Sequence, residues 1–231
     1  MRIAEVFTSV QGEGKWVGIP STFVRISGCN LRCVWCDTPY ASWKPEGPVV
    51  EVESIVADVT ARGVAHVVVT GGEPMLFEPV VALCEQLRAR GHVITIETAG
   101  TVFREVPCDL MSISPKLSNS TPADPDWGPR HEAIRTDRQP LVQLVERYRE
   151  NVQLKFVVNP DEALEDQLAE IEVIRLLMPG LSSESIVLMA EGIDEETLRR
   201  RERLLVPICI ERGFRLTPRY HVSLFGNTRG T

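Results

Sequence analysis

Residues 22–37 read TFVRISGCNLRCVWCD, a strand-like run, a glycine, and then cysteines at positions 29, 33 and 36. The run 22–27 is rich in β-branched and apolar residues and is bounded by Pro20 and Gly28, residues that punctuate regular structure. Similar runs recur downstream as HVVVT (66–70), HVITIE (92–97), LMSIS (110–114), QLKFVV (153–158) and SIVLM (185–189). Short and continuously apolar, they suit strands buried on both faces, as a parallel sheet requires. Helix-length segments fall between them near 51–62, 77–90, 137–150, 161–178 and 194–212, with Asp161 and Asp194 as N-caps.

That alternation implies right-handed βαβ crossovers and an α/β fold. Six such units make a partial (β/α)6-type barrel or an open, mostly parallel sheet; eight would close a full barrel. A strand near 2–8 and a C-terminal segment near 214–225 flank this core. Residues 117–136 (LSNSTPADPDWGPRHEAIRT) show no period and read equally as a functional loop or a mobile insertion.

The 231 residues fit one domain, 1–231, large enough to bury a core without staples. With 43% hydrophobic and 25% charged residues the composition is globular rather than disordered. A net charge of −7 argues against a nucleic-acid partner. No apolar run approaches the roughly 20 residues a bilayer demands, and MRIAEVFTSVQGEG has neither the basic start nor the apolar stretch of a secretory leader. No membrane association and a cytoplasmic location are therefore expected. Cys84, Cys108 and Cys209 sit in or beside apolar stretches and read as small buried hydrophobes.

The other three cysteines follow a C-x3-C-x2-C spacing directly after the first core strand. Three thiolates on one short loop can ligate three irons of a cubane 4Fe-4S cluster and leave the fourth iron open. A structural zinc site would need a fourth ligand. His66 and His92 begin their strands, which puts them at the far end of the sheet, while His131 and His221 are distant in sequence. A simple electron carrier would need a fourth cysteine nearby. An open iron can chelate the amino and carboxylate groups of S-adenosylmethionine, and reductive cleavage there would release a 5′-deoxyadenosyl radical. With Trp35 just before the third cysteine, the loop resembles the signature of the radical S-adenosylmethionine superfamily.

Other candidate cofactor residues stand where strands end, the place ligands occupy in parallel α/β folds. Gly71 and Gly72 permit close backbone approach, and Glu73 can accept from a ligand ammonium. Thr70–Pro74 resembles the superfamily motif that grips the methionine amino group. Lys116, beside Ser114, suits a carboxylate or ribose oxygens; Met189 and Glu191 can face adenine. Asp37, following the third cysteine, belongs to the same group. Lys155 lies inside an apolar strand and reads equally as functional or structural.

Glu5–Gly14 and Gly18–Arg25, running into Gly28–Cys33 and Cys36-Asp37-Thr38, closely resemble the 7-carboxy-7-deazaguanine synthase family. The resemblance continues through Thr70–Pro74, Glu97–Gly100, Ser114–Lys116 and Leu154–Val157. It implies a carbon–nitrogen lyase that makes 7-carboxy-7-deazaguanine and ammonia from 6-carboxy-5,6,7,8-tetrahydropterin, within queuosine-type deazapurine biosynthesis. It also implies that S-adenosylmethionine is regenerated, that the chain is a homodimer, and that flavodoxin or ferredoxin supplies electrons. Arg25 then holds the substrate carboxylate, although a structural Arg–carboxylate pair is its alternative. Gln11, Gly12 and Glu13 read the pterin edge, Thr70 adds a hydroxyl, and His221 reaches in from the tail. Thr38, otherwise a turn residue, is implied as a magnesium ligand. Ala190 departs from the proline of many relatives. Two rival functions remain: an activase that makes a glycyl radical on a partner protein, and a non-catalytic, zinc-stabilised binding module.

Overall fold

The computed structural model describes all 231 residues. Strands β1 (Ile3–Val10) and β2 (Pro20–Ile26) form an antiparallel hairpin. From β2 onward every pairing is parallel: β3 (His66–Gly71), β4 (Val93–Thr98), β5 (Leu110–Ile113), β6 (Val152–Val158), β7 (Ile186–Ala190) and β8 (Arg215–Thr217). Strand order follows chain order, and the eight-stranded sheet is left open between β1 and β8. Same-handed crossovers in sequential order place the helices on one side of the sheet. They are α1 (Pro39–Ser42), α2 (Val52–Ala61), α3 (Val80–Ala89), α4 (Trp127–Thr136), α5 (Gln139–Arg147), α6 (Leu164–Leu176), α7 (Glu195–Arg212) and α8 (Tyr220–Phe225).

Residue parity separates the two faces of each strand. Val24, Ile26, Val67, Val69, Ile94 and Ile96, with their counterparts Ile113, Leu154 and Phe156, join a buried cluster of 40 residues beneath the helices. The opposite parity places Arg25 beside Thr70, Glu97 beside Ser112, and Ser112 beside Gln153 across neighbouring strands. Both faces are buried, as the continuous runs implied, but only the outer one is wholly apolar.

Helix ends mostly follow local chemistry. Asp194 caps α7, its carboxylate accepting from the Thr197 amide at 2.8 Å. Asp161 does not cap α6: that helix starts behind Ala163, at φ +41°, and Asp161 instead pairs with Arg200 and Arg201 of α7 at 2.5 and 2.8 Å. The aperiodic stretch 117–136 contains α4. Its buried side is anchored by His131 and Arg135 rather than by an apolar stripe, so hydrophobic periodicity does not report it.

Candidate active site

A cavity of about 320 Å³ opens where β2–β7 end, and the three cysteines line it. Gly28, at φ +119°, turns the chain out of β2 where a side chain would strike the Phe77 ring. The loop is then tightened by the Cys36 amide donating to the Cys33 carbonyl at 3.2 Å, while the Leu31 amide donates to Cys29 Sγ at 3.4 Å. Burial pushes the Cys29 thiol up to about 12 and that of Cys33 to about 11, with the Lys116 ammonium pulling Cys33 partly back. Such thiols ionise when a metal cation replaces the lost hydration.

The donor set fits a cubane. Three cysteines, and no fourth, line the cavity, which suits three irons of a cubane with a thiolate each. His131, the zinc candidate that does lie near the loop, has both ring nitrogens engaged, with the Arg32 amide at 3.1 Å and the Ser120 hydroxyl at 2.9 Å. His66 is held at the far end of the sheet by Ser21 and Thr95. Three cysteines, each taking its own iron, would leave one iron of such a cluster for an outside ligand.

Every residue singled out from the sequence for cofactor, substrate or metal lines this cavity, Glu73 excepted. Glu73 is fully buried, and its carboxylate accepts from the Thr98 hydroxyl, the Ala99 amide and the Met75 amide at 2.7–3.0 Å. Burial drives its pKa up against those three bonds. Three protein donors thus hold Glu73 in its loop, and Oε2, which accepts only from Ala99, keeps acceptor capacity. Gly71 and Gly72 do permit a close approach, but to protein: side chains there would overlap the carbonyls of Ile26 and Gly28. The Gly72 and Glu73 amides donate to those same carbonyls at 3.0 and 2.9 Å, locking the glycine loop to the root of the cysteine loop.

Among the candidate cofactor residues, Lys116 donates to Ser114 at 2.8 Å and lies 5.3 Å from the centre of the Trp35 ring. Glu191 pairs with Arg201 at 2.6 Å. Around the candidate substrate residues, Glu97 accepts from Gln11 at 3.2 Å and from Thr70 at 2.9 Å. Glu13 pairs with Lys155 and, at 3.2 Å, with Arg219; Arg219 also binds Asp37 and donates to the Gly192 carbonyl at 2.6 Å. Burial alone would raise the Glu13 carboxyl, but Lys155 and Arg219 overcome it and hold Glu13 well below the usual carboxylate range. His221 is seated on Gly12, where any side chain would overlap the imidazole. Burial lowers its pKa against the opposing pull of Glu13.

Arg25 takes the paired alternative in part. Its Nε donates to Glu5 at 2.7 Å, a carboxylate that also accepts from Tyr40, while its two terminal nitrogens have no protein partner. Arg219 is the site residue that the sequence did not mark, Glu97 stood only in the resembling segment Glu97–Gly100 with no role of its own, and Lys155 is the one it left undecided. Parity along HVITIE places Glu97 on the same face as Thr95 and so carried a signal. Arg219, 206 residues from Glu13, carried none.

An unclosed parallel sheet with a three-cysteine loop at its mouth defines the class. A family model described as the Radical SAM superfamily matches residues 23–153, and the chain belongs to that superfamily. Two relatives called 7-carboxy-7-deazaguanine synthase narrow it further. The protein from Rhodopirellula baltica is 46% identical over 99% of this chain and 88% of its own length. The one from Halobacterium salinarum is 42% identical over 99% and 92%. The crystal structure of QueE from Escherichia coli superposes with a TM-score of 0.69 at 26% identity, covering 95% of this chain and 94% of that one. The chain is a member of the 7-carboxy-7-deazaguanine synthase family, an enzyme lineage that favours neither the activase nor the zinc-module alternative. No helix is long and apolar enough to cross a membrane.

Proposed function

We propose that this chain is a carbon–nitrogen lyase that converts 6-carboxy-5,6,7,8-tetrahydropterin to 7-carboxy-7-deazaguanine and ammonia by radical ring contraction. The observation that carries the reading is one cavity holding both the three-thiol loop and a wall of paired carboxylates and cations. When bound through Cys29, Cys33 and Cys36, a 4Fe-4S cluster supplies the electron that cleaves S-adenosylmethionine to a deoxyadenosyl radical.

The chain's own residues do the rest by binding and orientation. Lys116 and Ser114 face the methionine carboxylate and ribose, while Trp35, Met189 and Glu191 border the rest of the cofactor. The free guanidinium nitrogens of Arg25 form a planar fork for the substrate carboxylate. The Thr38 hydroxyl offers one ligand to magnesium, an ion that keeps several waters and takes other oxygens from substrate. Glu97, prearranged by Gln11 and Thr70, and Glu13, held ionised by its two cations, present acceptors to the N–H donors of the pterin ring. His221 closes the tail side. The working form is a single-domain protomer in a homodimer, in the cytoplasm, reduced by flavodoxin or ferredoxin.

The test is turnover by the anaerobically reconstituted, reduced protein with magnesium. The expected result is deazaguanine product and ammonia without one-for-one release of methionine, and Cys33→Ala losing both cluster and turnover. Methionine accumulating in step with product, or no product at all, refutes the reading.

A further inference from the structure

No residue from 117 to 136 lines the cavity, yet this segment grips the cysteine loop at four points. The Ser120 carbonyl accepts from the Val34 amide at 3.0 Å. His131 Nδ1 accepts from the Arg32 amide at 3.1 Å. The Asn119 carbonyl accepts from Trp35 Nε1 at 3.1 Å. The Arg32 guanidinium lies 3.9 Å from the centre of the Trp127 ring. The two backbone bonds flank Cys33, one on each side.

His131 joins these contacts. A backbone amide only donates, so Nδ1 carries no proton and Nε2–H donates to the Ser120 hydroxyl, which itself donates to the Leu117 carbonyl at 2.6 Å. The imidazole is completely buried. Burial lowers its pKa to about 4, so this neutral tautomer persists at neutral pH.

We propose that His131 is a positioning residue for iron–sulfur ligation: seated on Ser120, it fixes the peptide N–H before Cys33 while Ser120 fixes the one after, and so sets the direction of the Cys33 thiol. The inference rests on the cluster reading above and gives segment 117–136 a function as an outer clamp. Outer groups that orient a metal ligand typically change metal retention by about 10- to 100-fold when removed. A histidine that merely filled the core would change folding stability alone.

The test compares iron release to a ferrous chelator from anaerobically reconstituted protein, well below the melting temperature of each variant. His131→Leu keeps bulk and loses both bonds. His131→Gln reaches the Nε2 position but not the loop amide. His131→Asn places its amide oxygen where Nδ1 stood and restores the acceptor for Arg32. Leu and Gln are expected to release iron about tenfold faster than wild type, and Asn to recover most of that loss. If the Leu variant does not fold, the Gln variant and Ser120→Ala decide. Equal release rates in all variants, or rates that simply follow melting temperature with Asn no better than Gln, overturn the inference alone. A wild-type chain that takes up no iron and sulfide overturns the cluster reading, and this inference with it.

Discussion

On its outer face the sheet meets α2, α3 and α5–α7 with side chains such as Val69, Ile96 and Phe156. On its inner face the same strands carry Arg25, Thr70, Glu97, Ser112 and Lys155. Both sets are largely hidden from water, but they are held by different forces. The outer set gains from removing apolar area, which is non-directional and tolerant of reshuffling. The inner set gains only where each charge finds its partner, because an unpaired buried polar group costs more than a paired one returns. One face therefore carries stability, while the other carries the paired polar groups of the candidate site at close to zero net benefit to folding.

The largest test of that division is a pair of truncations. Phe156→Ala on the outer face is expected to cost about 3–5 kcal/mol of stability, read by denaturant unfolding. Arg25→Ala is expected to leave stability nearly unchanged, because Glu5 keeps Tyr40 and, at 3.4 Å, Arg229 as partners. It should leave cofactor cleavage intact and weaken carboxytetrahydropterin binding by about 10- to 100-fold, the worth of a hydrogen bond to a charged group. Unchanged affinity would remove Arg25 from the substrate site.

A smaller effect is expected inside the inner face itself. Lys155→Met leaves Glu13 buried with Arg219 alone, at a cost of about 1–3 kcal/mol. Adding Glu13→Gln should recover part of that loss, a coupling that a double-mutant cycle measures. Additive losses would show the pair to be independent.

The smallest effect is the dependence of stability on pH. Burial holds His66, His131 and His221 below the ordinary histidine value of 6.5. The unfolded chain takes up protons on passing below 6.5 while the folded chain resists, so stability falls as pH drops. The melting temperature of the ligand-free protein should decline between about pH 7 and pH 5. A flat or rising profile would mean that these imidazoles accept protons in the fold.

The contrast also explains what could be read without coordinates. Outward positions are uniformly apolar, and enough inward ones, Val68, Val157 and Met189 among them, are apolar too. The strands therefore read as continuous runs, and their existence and order were legible. The cysteine loop was legible because its three cysteines lie within eight residues. The inner polar network was only partly so: Lys155 interrupts its run visibly, whereas its partnership with Glu13 spans 142 positions and leaves no local trace. Helix α4 was missed because polar anchors replace the apolar stripe. Glu73 was legible as a motif member but its three hydrogen bonds to Met75, Thr98 and Ala99 were not.

Asp37 and Arg219 are separated by 182 positions. A ribosome therefore releases the cysteine loop, and most of the strands that wall the pocket, long before the arginine that ties that loop to the tail exists. Since each strand pairs with the one made just before it, the sheet can grow outward from its first hairpin during synthesis. The bridge across its mouth is added after every strand is made, and the pocket's ionic closure is a late event in the life of the chain.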